Sequence, residues 1–230
     1  MIIKDKAIFI ADAHYNTQRT ELYKLLKLLQ NETLFVNQIF LMGDMFDFLI
    51  IEIDYFTKIN SDIIILINEL SLRYEIIYLE GNHDYNLQKI FPSINIISRM
   101  DQPLYLKQDT LNIALAHGDI FTPFIYNFYT KIIRNHYFLR FINYLDFNNT
   151  LSKYTEKKLM KKKICHKFHN FDEFTSKRIK SYNSFFHTDL IIEGHFHQGY
   201  ISKTYINVPS LACGNQYMLY KNKQFSLNTL

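Results

Sequence analysis

Residues 38–47 read Gln-Ile-Phe-Leu-Met-Gly-Asp-Met-Phe-Asp: a short apolar run, a glycine, then a carboxylate. A run of that length bounded by a turn signal predicts a buried strand over Gln38–Met42. Gly43 lets the chain turn sharply as it leaves the strand and carries Asp44 past its end. The same arrangement recurs on both sides. Ala7–Ala11 runs into Asp12-Ala13-His14, and Glu75–Leu79 into Gly81-Asn82-His83-Asp84. Leu111–Ala116 runs into His117-Gly118-Asp119, and Asp189–Ile192 into Gly194-His195-Phe196-His197. Polar residues just past the C-terminal ends of strands mark where open α/β sheets place their sites. Four of the six glycines, Gly43, Gly81, Gly118 and Gly194, lie inside these motifs.

Helical periodicity fills the intervals. Thr20–Gln30 has leucines at helical spacing with Thr20 as N-cap. Phe56–Leu72 predicts one helix, its Ile63–Ile67 run being assigned to helix by length and flanks. After Gly199 the segments Tyr200–Val208, Leu211–Tyr220 and Gln224–Leu227 read as antiparallel strands closing a sheet. The fold class is therefore α/β, with layered sheets flanked by helices. The 230 residues are 48% hydrophobic and 21% charged, which excludes a disordered chain and suits a single unit over 1–230. Cys165 and Cys213 lie far apart with no metal-type spacing, which predicts no disulfide and a reducing, cytoplasmic compartment. Met1–Ala11 is too short in apolar residues for a signal segment, and no run reaches the ~18 residues of a membrane span.

The motifs supply carboxylate, amide oxygen and imidazole, a donor mixture that suits a pair of divalent ions such as manganese, iron or zinc. Asp12 and His14 are alternate residues at a strand end and share a face, as do His195 and His197. Asp44 has two oxygens and suits a bridge between two ions. Asn82 offers a neutral oxygen; His117 and His195 offer imidazoles. Taken singly, Gly-Asp or Gly-Asn-His-Asp makes an ordinary turn and His-x-His a solvated one; their joint order is what such turns do not explain.

This ordered set resembles the calcineurin-like metallophosphoesterase superfamily from Asp12 to His197. The resemblance implies a dinuclear phosphoesterase fold. It assigns Asp12, His14, Asp44 and His197 to one metal, and Asp44, Asn82, His117 and His195 to the other. It also places His83 beside the phosphate as electrostatic stabiliser or acid, with Asp84 orienting it. Asp47 and Asp119 are expected to support the ligands or form turns. His136, His166, His169 and His187 are read as packing or solvent-facing.

Residues 121–187 differ from the rest. They hold 13 of the 26 Lys and Arg against four acids, and 17 of the 37 Phe and Tyr. They read as helices, aromatic and basic, with a weak break at Asn148-Asn149. Such a segment fits a helical lid over an amphipathic phosphate substrate, or a surface lying on an anionic membrane; aromatics at that spacing also simply pack helices onto a core. Length and placing are similar to the insert of the UDP-2,3-diacylglucosamine hydrolases of lipid A synthesis. That likeness implies release of UMP from a nucleotide-linked lipid at the inner membrane face, with Lys163 or Lys167 meeting phosphate. That subfamily often carries Arg at the position of His83.

Two other classes compete. One is a different phosphoesterase on the same core: a nucleotide phosphodiesterase, a phosphoprotein phosphatase or a nuclease. A nuclease needs its basic residues tracking a groove to the metals; here they lie among apolar aromatics, so no nucleic acid is expected. The other is a metal-binding scaffold without turnover, against which stand seven retained ligands and His83.

Overall fold

The computed structural model describes residues 1–230. The chain order is β1 (Ala7–Ile10), α1 (Glu21–Gln30), β2 (Gln38–Leu41), α2 (Asp54–Ile59), α3 (Ser61–Ser71), β3 (Glu75–Leu79), β4 (Asn95–Ile97), β5 (Leu104–Gln108) and β6 (Leu111–Ala116). Then come α4 (Phe124–Ile133), α5 (His136–Leu145), α6 (Thr150–Met160), α7 (Phe171–Asn183), β7 (Leu190–Glu193), β8 (Tyr200–Ile201), β9 (Tyr205–Asn207), α8 (Leu211–Gly214), β10 (Gln216–Lys221) and β11 (Gln224–Thr229). Two sheets form, β11-β10-β1-β2-β3-β4 and β5-β6-β7-β9-β8. Strands β1 to β4 run parallel, as do β6, β7 and β9, with antiparallel strands at the edges.

Alternation along the strands builds four layers. Phe9, Phe40, Ile77 and Leu79 face Ile113, Leu115, Ile192 and Ile206 of the other sheet; Phe9 and Phe40 stack at 4.5 Å. Ile8, Ile10, Ile39 and Tyr78 face the leucines of α1 and the Ile63, Leu66, Ile67 and Leu70 stripe of α3. On the far side, Ala114, Ala116, Ile191 and Tyr205 are covered by Tyr182 of α7. Strands buried on both faces read as continuous apolar runs, which is why the sequence shows them so clearly.

Several expectations need correction. The helix expected over Phe56–Leu72 is two, because the Asn60 side chain donates to the carbonyls of Phe56 and Phe48 and breaks the ladder. Thr20 sits at the start of α1 but makes no capping hydrogen bond. Strands β4 and β5 lie in a stretch that the periodicity leaves unassigned. The C-terminal segments close both sheets: β8 and β9 join the second, β10 and β11 the first, and Leu211–Gly214 is a helical turn. The insert divides. Helices α4 to α6 stand over one end of the sheets, with Leu139 and Ile142 packed on Ile50, Ile53, Phe56 and Tyr85, while α7 is a layer of the core. The break at Asn148-Asn149 is present, both residues in the left-handed region at φ 54° and 57°.

Cys165 and Cys213 are joined by a disulfide, with Cα atoms 5.6 Å apart, which overturns the expectation of unpaired cysteines and removes the basis for a reducing compartment. Forty-eight residues separate them, but the chain after α6 returns to the turn at α8. The Gln198 amide holds it there, donating to the His166 carbonyl (2.8 Å) and accepting from Phe168 N–H (3.0 Å). No helix is long and apolar enough to cross a membrane.

Candidate metal centre

The loops that follow β1, β2, β3, β6 and β7 converge. Asp12 N–H donates to the Gly43 carbonyl and His14 N–H to the Asp44 carbonyl, lacing the first loop to the second. Asp12, His14, Asp44, His195 and His197 all have φ between 43° and 66°, the left-handed region that side-chain-bearing residues seldom adopt. Strand alternation was the expected reason why residues two apart share a face. The actual reason is this sequence of left-handed turns beyond the strand ends, a strain of about 1–3 kcal/mol per residue that packing must hold. Gly81 permits the closest approach: a Cβ there would lie 2.2 Å from an Asp44 carboxylate oxygen.

The side chains gather into three overlapping groups whose donor atoms lie within 4.8 Å of one another: Asp12, His14 and His197; His14, Asp44 and His83; and Asp44, His117 and His195. His197 Nε2 is 3.3 Å from Asp12 Oδ1, and His117 Nε2 is 3.5 Å from Asp44 Oδ2. Asn82 Oδ1 is 3.3 Å from His117 Nε2, which lies 3.1 Å from His195 Nδ1. All seven expected ligands are thus brought together. His83, expected beside them, is within the same reach, its ring 5.0 Å from that of His14.

These residues fit cations. Asp12 Oδ1 and His14 Nδ1 are buried without a hydrogen-bond partner, an arrangement costly unless a ligand completes it. Burial opposes the charge on Asp44, yet the imidazoles of His117, His83 and His14 hold its carboxyl well below the usual range. Burial likewise opposes protonation of His117, which Asp44 and Asp12 outweigh, so its pKa lies well above the ordinary value. Burial and the His117 charge push His195 down to about 4, so it presents a neutral ring.

The surrounding contacts orient the rings. His117 Nδ1–H donates to the Met42 carbonyl at 2.9 Å, which leaves Nε2 for the centre. His83 Nδ1–H donates to the Asp47 carbonyl at 2.6 Å. Asp84 was expected to orient His83; it does something else. Its carboxylate accepts from the backbone N–H groups of Asp44 (2.9 Å), Gly81 (2.9 Å) and Met45 (2.6 Å) and from Tyr78 Oη–H (2.6 Å), clamping two loops together. Burial and the nearby Asp44 charge raise its pKa to about 7. Asp47 pairs with Arg19, accepts from Asn16 and lies 3.6 Å from His14 Nδ1. Asp119 pairs with buried Arg99 at 2.8 Å.

Three supports escaped the sequence reading. Arg134 at the end of α4 donates to the Gly81 carbonyl and lies 4.7 Å over the Tyr85 ring, tying the lid to the Asn82 loop. Arg178 of α7 forms a buried pair with Glu193. Asn207 donates to the carbonyls of Glu193 (2.9 Å) and Gly194 (2.6 Å), holding the last motif. No local pattern announces them, since each partner lies on a different element.

Two larger cavities border the centre. One of about 390 Å³ reaches it at Asn82 and His83 and is lined by Phe48, Ile50, Ile133, Leu139, Ile142 and Leu159 among others. A second, of about 360 Å³, borders it at His197, and only two of its 11 lining residues are hydrophobic.

A family model described as calcineurin-like phosphoesterase matches residues 6–199. A UDP-2,3-diacylglucosamine hydrolase from Psychromonas ingrahamii is 25% identical over 117 residues, 50% of this chain and 47% of that protein, so the match spans about half the length of the curated relative. Among solved structures, Yfce, a phosphoesterase from E. coli, aligns with a TM-score of 0.48 at 13% identity, covering 97% of this chain and 92% of that one. A protein of unknown function from Aquifex aeolicus aligns with a TM-score of 0.41 at 15% identity, covering 89% of each chain.

Proposed function

This chain belongs to the calcineurin-like phosphoesterase family, and from that premise we propose that it is a dinuclear metal-dependent hydrolase of a nucleotide-linked lipid. It would cleave the pyrophosphate of UDP-2,3-diacylglucosamine to UMP and 2,3-diacylglucosamine 1-phosphate. The observation that carries the reading is the apolar cavity of about 390 Å³ opening on Asn82 and His83. A phosphoester site flanked by Phe48, Ile133, Leu139 and Ile142 suits a substrate whose apolar part lies within reach of its reacting phosphate.

Asp12, His14, Asp44 and His197 would hold one ion and Asp44, Asn82, His117 and His195 the other, manganese being preferred and iron or zinc compatible with the same donors. When bound, such ions lower the pKa of a water and take up charge on phosphoryl oxygens. The chain's own residues supply the rest. His83, held through Nδ1 by the Asp47 carbonyl, keeps Nε2 for a phosphoryl or leaving-group oxygen. Asp84 acts through the loops that it clamps. The hydrophobic lid wall borders the reacting end at Asn82 and His83.

Phe124, Ile125, Tyr137, Phe141 and Tyr144 of the lid are exposed, and Lys157, Lys158, Lys161, Lys162 and Lys163 follow on and after α6. This combination suits peripheral contact with an anionic membrane. Another calcineurin-like activity, on nucleotides, phosphoproteins or nucleic acid, is the alternative. The test is UMP release by manganese-loaded protein from the lipid nucleotide in detergent, beside simple nucleotides and an aryl phosphodiester. Release far faster from the lipid supports the reading; turnover confined to the small esters refutes the lipid and keeps the phosphoesterase. Protein showing no metal-dependent hydrolysis of any of them would be a scaffold.

A further inference from the structure

The apolar cavity leaves one half of a two-armed phosphate ester unaccounted for. We infer that the polar cavity at His197 is the subsite for the nucleoside arm, the part carrying hydroxyl and carbonyl groups; the inference rests on the reading of a nucleotide-linked substrate.

Four observations carry it. The two cavities share no lining residue and meet the centre at different side chains, Asn82 and His83 against His197. The walls differ: 13 of the 19 residues around the first cavity are hydrophobic but only two of the 11 around the second, whose volume of about 360 Å³ lies in the usual range for small-ligand sites. Three of its polar side chains are free to bind, while Gln198 and the Ser210 hydroxyl are held within the protein. The Gln216 amide makes no hydrogen bond within the protein, Lys167 makes no ion pair, and His166, which donates through Nε2 to the Lys163 carbonyl, has Nδ1 to spare. A carboxamide offers a donor beside an acceptor, which is the complement of the imide edge of a pyrimidine base.

The fourth observation is the glycine distribution. Of six glycines, the two outside the motifs, Gly199 and Gly214, both line this cavity. At Gly214 the backbone is not left-handed, so its conformation does not demand glycine; a Cβ there would lie 3.3 Å from Gln216 Oε1. Glycine spares the Gln216 amide this tight contact. The outer wall is the segment Cys165–Lys167, held by the Cys165–Cys213 disulfide and by Gln198. A cross-link at this place keeps the wall from opening.

Calorimetry of the manganese-loaded protein tests this with three probes: UMP, glucosamine 1-phosphate and orthophosphate. UMP should bind at least about tenfold more tightly than either of the others, the worth of one or two hydrogen bonds. Gln216→Ala and Gly214→Val should remove most of that advantage while leaving orthophosphate affinity in place. Cys165→Ser should reduce it in the same sense. Equal affinity for UMP and orthophosphate in the unaltered protein, or a UMP advantage that survives both Gln216→Ala and Gly214→Val, overturns the subsite. Binding separates this inference from the proposed activity. Selective UMP binding without UMP release from the lipid nucleotide upholds the subsite and sinks the lipid substrate. Hydrolysis of the lipid nucleotide without UMP selectivity sinks the subsite alone.

Discussion

Replacing Arg178 by Met tests the support beneath the centre. The Arg178 guanidinium donates to both carboxylate oxygens of Glu193, to the Ile120 carbonyl (2.9 Å) and to the Gly118 carbonyl (3.2 Å). Glu193, with no solvent exposure, also accepts from Tyr182 (2.6 Å) and Tyr205 (2.7 Å) hydroxyls. Burial works against the guanidinium charge, and the Glu193 carboxylate outweighs it, raising the Arg178 pKa above an already high value. Methionine fills much of the space but leaves a buried carboxylate without its cation, a loss of about 3–5 kcal/mol. For a chain of this size that is a fall in Tm of about 6–20 °C. Gly118 follows His117, and Glu193 precedes the Gly194-His195 pair, so two candidate ligands lose their backing. Metal affinity should fall about 10–100-fold, as it does when an outer contact of a ligand is removed. Urea unfolding followed by circular dichroism, on metal-free and metal-loaded protein, gives both numbers. A cycle with Glu193→Gln should show strong coupling, the double variant losing less than the sum of the singles. A loss under about 1 kcal/mol for Arg178→Met, the level of a surface pair, would refute the description of this network.

Asp44→Ala, which removes a carboxylate shared by two of the donor groups, should leave a folded protein that binds fewer than two manganese ions by equilibrium dialysis and has no measurable turnover. His83→Ala should keep both ions and lose about 10²–10⁴-fold in kcat, the usual worth of a positioned acid or base; loss of metal instead would make it a ligand. Leu139→Trp, which intrudes on the apolar cavity, should lower kcat/KM for the diacylated substrate by at least about tenfold relative to a methyl aryl phosphodiester, with equal losses on both refuting the acyl assignment. Burial opposes ionisation of Asp146, but the Ser152 hydroxyl and the Leu151 and Ser152 amides hold its carboxyl below the usual value. Its contribution to α6 is therefore present above the ordinary carboxylate pKa and lost as pH falls through the depressed one. Amide exchange should show α6 loosening in acid, and Asp146→Asn should show the same loosening at neutral pH.

How much was legible in advance follows from where each determinant lies. The five motifs were readable because their chemistry is intrinsic to residue type and because each follows a strand buried on both faces, whose apolar run stands out. The aromatic and basic insert was readable by composition, and the Asn148-Asn149 break by the readiness of Asn to adopt left-handed backbone. The convergence of Asp12, His14, Asp44, Asn82, His117, His195 and His197 needed more than strands side by side, since left-handed turns past the strand ends aim five of them at the centre.

What the tertiary structure alone decided was the pairing of residues whose separation in the chain says nothing of their distance in space. Asp84 clamps the Asp44 loop instead of orienting His83, because the β2 and β3 ends lie side by side and their free N–H groups point at the nearest carboxylate. His83 is oriented by a backbone carbonyl, which no side-chain pattern encodes. Cys165 meets Cys213 because the lid returns to the core wall, and α7 became a core layer because the outer face of the second sheet had no other helix to cover it. Composition set the chemistry available to this chain; the crossing of its layers set which donor met which acceptor, and left an apolar space on one side of the centre and a polar one at His197.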